Sequence, residues 1–235
     1  MTYSVSRAAA SLLIIVASTA QAETYDIDCV VRPNKETRVS SEVSGVLKSL
    51  KVNLGDQVTK GQELARLNTA LISARIERSK VDLAFNAREM ERARSAGEGV
   101  SPAELDEFST NWARSKAEIN ELTAELQQLI ITAPHSGIVT EILINEGEQV
   151  SESHIIKLTQ VYPLEIGLNV PYDYRANFSI DRPLTIYQGD RHAETTIDFI
   201  EPTLDMASQT FRVKASLDNL KAPDWLAGAG CEVER

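Results

Sequence analysis

The sequence predicts a mostly β protein with a long α-helical hairpin, the hairpin interrupting a repeated β unit and a further β region following it. Three observations lead there. A strand–turn–strand block occurs twice, 92 residues apart. The 63 residues between Leu67 and Ile131 are rich in helix formers and carry an apolar 3–4 repeat. Residues 161–235 alternate apolar and polar positions, as half-buried strands do. The 235 residues are 43% hydrophobic, 25% charged and 6% aromatic, enough to bury a substantial core. The formal net charge of -10 argues against a nucleic-acid partner, which would call for a basic face. Two cysteines exclude a disulfide-dense scaffold and a four-cysteine zinc site.

Residues 1–22 read as a cleaved signal peptide. Arg7 precedes an apolar stretch from Ala8 to Ala17, and Ala20 and Ala22 supply the small residues of a cleavage site before Glu23. The stretch is shorter than the roughly 20 residues that span a bilayer. Removing 22 residues from 235 leaves a mature chain of 213, expected to be soluble and exported to an oxidising compartment.

The repeat aligns Ser44–Val58 with Ser136–Val150 without a gap. Six of the 15 positions are identical: Ser44/Ser136, Gly45/Gly137, Asn53/Asn145, Gly55/Gly147, Gln57/Gln149 and Val58/Val150. Each copy reads as strand, turn, strand, with Asn53-Leu54-Gly55-Asp56 supplying the turn. Gly55 and Gly147 permit the positive φ a tight turn requires.

The intervening segment predicts two helices. Asn68 is the expected N-cap of the first, whose seam runs Ile72, Ile76, Ser79, Leu83, Asn86, Met90, Ala93. Gly97 and Gly99 break it. Ser101-Pro102-Ala103-Glu104 restarts the chain with a capping box and proline at the first helical position. The second seam runs Leu105, Phe108, Trp112, Ser115, Ile119, Leu122, Leu126, Leu129, a coiled-coil spacing. Folded back antiparallel about Gly99, facing residues share an index sum of 198. Met90 then faces Phe108, Asn86 faces Trp112 and Ile76 faces Leu122, in a rod roughly 40 Å long.

In the C-terminal region, strands are expected at 164–170, 184–187, 194–200, 211–217 and 231–233, with a short helix from Pro171 to about Phe178. Cys29 lies in an alternating strand, 25–31, and Cys231 in the last strand. If those strands are neighbours the two form one disulfide; otherwise they are separate buried thiols.

Paired half-motifs of this kind resemble the two halves of a lipoyl/biotinyl-like barrel. Split by a helical insertion, they resemble the periplasmic adaptor subunits, or membrane fusion proteins of the HlyD family, of tripartite efflux and secretion systems. The block Ile200-Glu201-Pro202-Thr203-Leu204-Asp205 followed by Ser208-Gln209-Thr210 and Val213 is similar to the β-barrel domain of those adaptors, with Gln209 in place of a common arginine. The resemblance implies a lipoyl/biotinyl-like split barrel (39–67 and 131–160) carrying an inserted antiparallel coiled coil (68–130), plus a β-barrel domain (23–38 and 161–235). It implies no catalysis and no cofactor. It implies an inner-membrane transporter, of the resistance-nodulation-division (RND) type, and a TolC-like outer-membrane channel as partners, with copies assembled as a ring, expected to be a hexamer. An ABC or type I secretion partner is the alternative. A lipoyl or biotinyl carrier is a further one, disfavoured because a coiled coil replaces the loop that would bear the modified lysine. A membrane-proximal domain has no counterpart in these 235 residues, so the resemblance leaves the transporter contact unassigned. The family's channel-docking tip motif is Arg, Leu, Ser. Ser101 fits its last position, Arg92 and Arg94 are candidates for the first, and the leucine is missing. These arginines either dock a channel or solvate the helix end. Enzyme readings find little support: His135, His154 and His192 lack the spacing of a metal site or a catalytic triad.

Overall fold

The computed structural model describes residues 27–151, 154–218 and 224–234; the expected signal peptide lies outside them. In chain order the elements are β1 (Asp28–Ser40), β2 (Gly45–Leu50), β3 (Gln57–Val58), β4 (Glu63–Leu67), α1 (Ala70–Ser95), α2 (Pro102–Gln128), β5 (Ile130–Thr132), β6 (Gly137–Ile142), β7 (Gln149–Val150), β8 (His154–Pro171), β9 (Pro183–Gln188), β10 (Arg191–Ile200), β11 (Thr210–Leu217) and β12 (Gly230–Glu234).

The repeated blocks fold into one unit with approximate two-fold symmetry. β2 pairs with β7, and β3 with β6. Gly55 N–H donates to Val139 O and Gly147 N–H to Leu47 O, both at 2.8 Å; each bond is the other with the two copies exchanged, since donor 55 becomes 147 and acceptor 139 becomes 47 on a shift of 92 in opposite directions. The matched residues do matched work. Gly55 and Gly147 take φ of 90° and 89°, a region costly for side chains with a Cβ. The Asp56 carboxylate accepts from Asn53 N–H, and the Glu148 carboxylate from Asn145 N–H. Both blocks slip register at one equivalent place, Leu47/Ser49 in the first and Val139/Glu141 in the second. Their shared core includes Leu47, Leu64, Leu67, Val139, Val150 and Leu158.

The second core fills a closed six-stranded barrel in the order β1, β12, β9, β10, β11, β8 and back to β1. Alternation puts Leu164, Ile166, Leu168 and Val170 of β8 inside, and Phe211, Val213, Ala215 and Leu217 of β11 opposite them. β1 and β8 run through both cores as one antiparallel ladder, from Asp28↔Asn169 to Ser40↔His154. The ladder slips between Pro33 and Lys35, where proline has no N–H to offer. The barrel's shortest junction is β1–β12, with Cys29↔Cys231 and Val30↔Gly230 in register. There Cys29 and Cys231 are joined in a disulfide, Cα atoms 4.8 Å apart.

One local expectation needs correction. The first helix has Thr69, not Asn68, at its N-cap; Asn68 still belongs to the edge of the sheet, its N–H donating to Val46 O. The Asn68 side chain still serves the helix start, its Oδ1 accepting from Ala70 N–H. The short helix expected after Pro171 is present as a 3-10 helix, Tyr172–Asn177. It is too short for α-helical bonding to gain over the tighter turn.

Candidate functional site: the helical hairpin and its tip

The hairpin leaves the split unit between β4 and β5. Leu67 N–H donates to Leu129 O and Asn68 N–H to Val46 O, each at 2.9 Å, so both legs start from a fixed sheet. Next to that sheet Ile72, Ile76 and Leu122 are buried against each other, with Leu126 and Leu129 packed on them. Each fully buried aliphatic side chain contributes about 1.5–3 kcal/mol, which secures the root. Further out the seam turns polar. Ser79 Oγ donates to Glu118 and Asn86 Nδ2 to Ser115 Oγ, at 3.0 and 2.7 Å. Arg75 spans the legs to Glu125 at 3.3 Å. Toward the tip Met90 and Ala93 are buried, while Leu83, Leu105, Phe108, Trp112 and Ile119 are half-buried. Lys116 Nζ lies 5.3 Å from the Trp112 ring centre, covering it from the solvent side.

The cross-leg pairs 79/118, 86/115 and 75/125 have index sums of 197, 201 and 200. Residues at one height along the rod therefore sum to about 199. Asn86 bonds to Ser115, one turn from the Trp112 that the expected sum of 198 sets opposite it. Polarity decides this: the half-buried amide bonds to a hydroxyl acceptor, and an indole offers none. The 26 residues of α1 extend about 39 Å.

At the tip, α1 ends at Ser95 and Gly97–Gly99 form a 3-10 turn, Gly97 at φ 56°. Ser101 caps α2, its Oγ accepting from Glu104 N–H while Glu104 accepts from Ser101 N–H. The Ser101 side-chain and backbone hydrogen bonds hold the Glu104 carboxyl below the usual carboxylate range. Ser101 is thus occupied as a cap. Arg92 pairs with Glu89 at 2.7 Å yet keeps 71% of its side chain exposed. Arg94 is exposed as well. Both stand at a helix C-terminus, where positive charge is favoured. The tip therefore presents cations on the last turn of α1, next to the short capped turn.

Other places with chemistry are structural. Asp205 accepts from the N–H groups of Ala207 and Ser208, which lower its pKa, and shapes the β10–β11 turn in which Gln209 takes φ 53°. His135 Nε2 lies 2.9 Å from Thr37 Oγ1, His154 opens β8 and His192 sits in β10 of the barrel. Among the described residues, no group of three or more His, Cys, Asp or Glu is placed to hold a metal ion. A groove of about 370 Å³ between the two cores is lined by residues such as Val58, Ser136, Ile138 and Tyr162, with no carboxylate, histidine, lysine or cysteine among them.

A family model described as CzcB-like, barrel-sandwich hybrid domain matches residues 35–159, the span holding both half-motifs and the hairpin. The chain belongs to that family. The efflux pump periplasmic linker BepD of Brucella suis is 25% identical over 232 residues, covering 83% of this chain and 58% of BepD. The multidrug resistance protein MdtA of Escherichia coli O45:K1 is 26% identical over 209 residues, covering 77% and 50%. The chain spans about half the length of the curated relatives it matches. Among solved structures, a MacA-MexA chimeric protein with the Pseudomonas aeruginosa MexA α-hairpin domain superposes with a TM-score of 0.75 at 21% identity, over 88% of this chain and 79% of that one. The membrane fusion protein Spr0693 of Streptococcus pneumoniae R6 does so at 0.72 and 16%, over 89% and 98%. The family is that of periplasmic adaptor, or membrane fusion, proteins, and the whole architecture follows it: split β unit, inserted hairpin, separate barrel. Among the described residues no helix is long and apolar enough to cross a membrane.

Proposed function

We propose that this chain is the periplasmic adaptor of a tripartite efflux system, bridging an inner-membrane transporter of the RND type to a TolC-like outer-membrane channel for export of small molecules. Residues 1–22 direct export and are removed. Several copies stand side by side as a ring, a hexamer in this reading, with barrels stacked and hairpins pointing toward the channel. The protein works without a cofactor and without catalysis: it seals and aligns a conduit. One observation carries the reading. A rod of about 39 Å grows from a rigid β unit and ends in a short capped turn, with the exposed Arg92 and Arg94 on the last helical turn before it. Such a shape suits spanning a gap and touching something at the far end. Arginine offers several donors to carbonyls or carboxylates there. The test is the double variant Arg92→Asp/Arg94→Asp in cells that depend on this chain for export. Melting temperature and protein level stay as in the parent while export falls sharply. Full export at normal level would place docking elsewhere.

A further inference from the structure

The six-stranded barrel is built of two three-stranded layers joined at two narrower seams. In the first layer β8 is laddered to β1 from Asp28↔Asn169 to Pro33↔Leu164, and to β11 from Thr210↔Pro171 to Leu217↔Leu164. In the second, β9 is laddered to β10 through six residue pairs and to β12 through three. The seams hold less. β10 meets β11 in three pairs, with a slip between Ile197 and Phe199. β1 meets β12 in two, Cys29↔Cys231 and Val30↔Gly230. Beside them Val31 N–H donates to Ala229 O at 3.0 Å and Gly228 N–H to Val31 O at 2.8 Å. The Cys29–Cys231 bond lies on this second, narrower seam. The approach to β12 is tied to its own layer without it. The Gln188 side chain bonds to the N–H and the carbonyl of Leu226, and Arg191 donates to Asp224 O. Behind the seam lie Val31 of one layer and Ile186 and Val233 of the other, all buried.

We propose that the Cys29–Cys231 bond is a redox latch on the barrel. Oxidised, it holds the two layers together; reduced, they part at β1–β12 and turn about the β10–β11 seam, opening the barrel core to solvent. The inference goes beyond the adaptor reading and does not depend on it. Local opening is easiest where few bonds and little apolar contact are given up, and the two-pair seam is that place. The two ends of the bond are unequal. Cys29 is 5% exposed, whereas Cys231 is half-buried. An incoming thiolate therefore meets Cys231 Sγ first. It bonds to that sulfur, the Cys29–Cys231 bond breaks, and Cys29 leaves as a thiolate that takes up a proton. A second thiol then displaces the first as a disulfide. The protein gains two electrons and two protons, and the two reductant thiols lose them. Closing runs in reverse, with the disulfide of a dithiol oxidoreductase as electron acceptor. Register directs that step, because docking β12 on β1 sets Cys231 opposite Cys29.

The test follows amide hydrogen exchange in the full chain, oxidised, reduced with dithiothreitol, and as Cys29→Ser/Cys231→Ser. In the last two, the seam amides of Val31 and Gly228 are expected to exchange about a hundredfold faster than in the oxidised chain. Amides of the split unit, Leu67 bonded to Leu129 O and Gly147 bonded to Leu47 O, are expected to keep their rates. An equal acceleration at all four amides, unfolding of the whole chain included, would overturn the proposal, since the bond would then stabilise the fold as a whole. Unchanged exchange at Val31 and Gly228 would also overturn it, since the seam would stay shut by itself. A second readout addresses the order of attack. Oxidised chain exposed briefly to reduced glutathione and quenched in acid is expected to carry glutathione on Cys231 and a free thiol at Cys29. Glutathione found on Cys29 instead would overturn the route through Cys231.

Discussion

Replacing Gly137 with alanine should destabilise the protein far more than the same change at Gly45, although the two occupy equivalent places in the repeat. Neither glycine has a positive φ, so the backbone itself accepts alanine at both. The difference is the neighbour. A Cβ on Gly137 would stand 2.8 Å from the carbonyl oxygen of Thr159 and 3.1 Å from its carbon, both main-chain atoms of the long β8 strand. That strand carries core residues on either side and cannot yield alone. A Cβ on Gly45 would stand 3.2 Å from Leu67 Cδ1, a side-chain methyl group that has to give by only a few tenths of an ångström. Overpacking typically costs about 1–3 kcal/mol, and the rigid contact belongs at the upper end. Alanine recovers about 0.4–1 kcal/mol by restricting the unfolded chain. The net is about 2 kcal/mol of destabilisation at Gly137 and close to zero at Gly45. For a chain of this size that is a drop in Tm of about 4–8 °C against a change within about 2 °C. Paired thermal scans of Gly137→Ala, Gly45→Ala and the parent decide it. Equal shifts, or a larger one at Gly45, would refute the assignment of the glycines to strand approach.

Cys29→Ser/Cys231→Ser removes a link between residues 202 apart in sequence; the chain-entropy model gives a loss of about 5 kcal/mol, and two free thiols in the unreduced, denatured parent would contradict the bridge. Glu63, Glu104, Glu148 and Asp205 all have carboxyl pKa values held low, by the Arg66 hydrogen bond for Glu63 and by Ser101, Asn145 and Ser208 for the others. Their stabilisation is complete above the ordinary carboxylate range and is lost as pH falls through the lowered folded values. Tm should therefore be level near neutrality and fall below about pH 4, less steeply in Glu148→Gln. At the hairpin root, Ile76→Cys with Leu122→Cys should crosslink within one chain and Ile76→Cys with Ile119→Cys poorly, because the latter is displaced by about 5 Å; equal yields would reject the register.

The parts legible in the sequence were those written in local or periodic chemistry. The 92-residue repeat is visible because Gly45/Gly137, Asn53/Asn145 and Gly55/Gly147 meet the same geometric demand twice. The capping box at Ser101 and Glu104 is confined to four residues, so no distant contact disturbs it. What stayed hidden depends on distant partners. Asn68 reads as an N-cap, yet its N–H joins the sheet edge at Val46 O and the helix begins one residue later. Nothing local says that β1 and β8 each run through two cores, because alternation marks a face and not which core that face meets. The order of strands around the barrel is likewise a long-range fact. On the hairpin, the seam's apolar repeat overshadows the outward stripe of Leu71, Val81 and Phe85, whose exposure emerges only once the facing leg is in place. Arg92, Arg94 and Ser101 are found together at the tip, yet Ser101 serves the helix cap, which leaves Arg94 and the largely exposed Arg92, paired with Glu89, to face outward.

The central claim is that the hairpin tip meets an outer-membrane channel. A photo-reactive residue at Val100, in the turn between the helices, tests it in living cells, with the same probe at the exposed Ala207 of the β10–β11 turn as the comparison. The account predicts a covalent adduct from Val100 whose second component is a TolC-like channel protein, and none from Ala207. Export at the normal level with no channel adduct from Val100, or the same adduct in equal yield from Ala207, would contradict it.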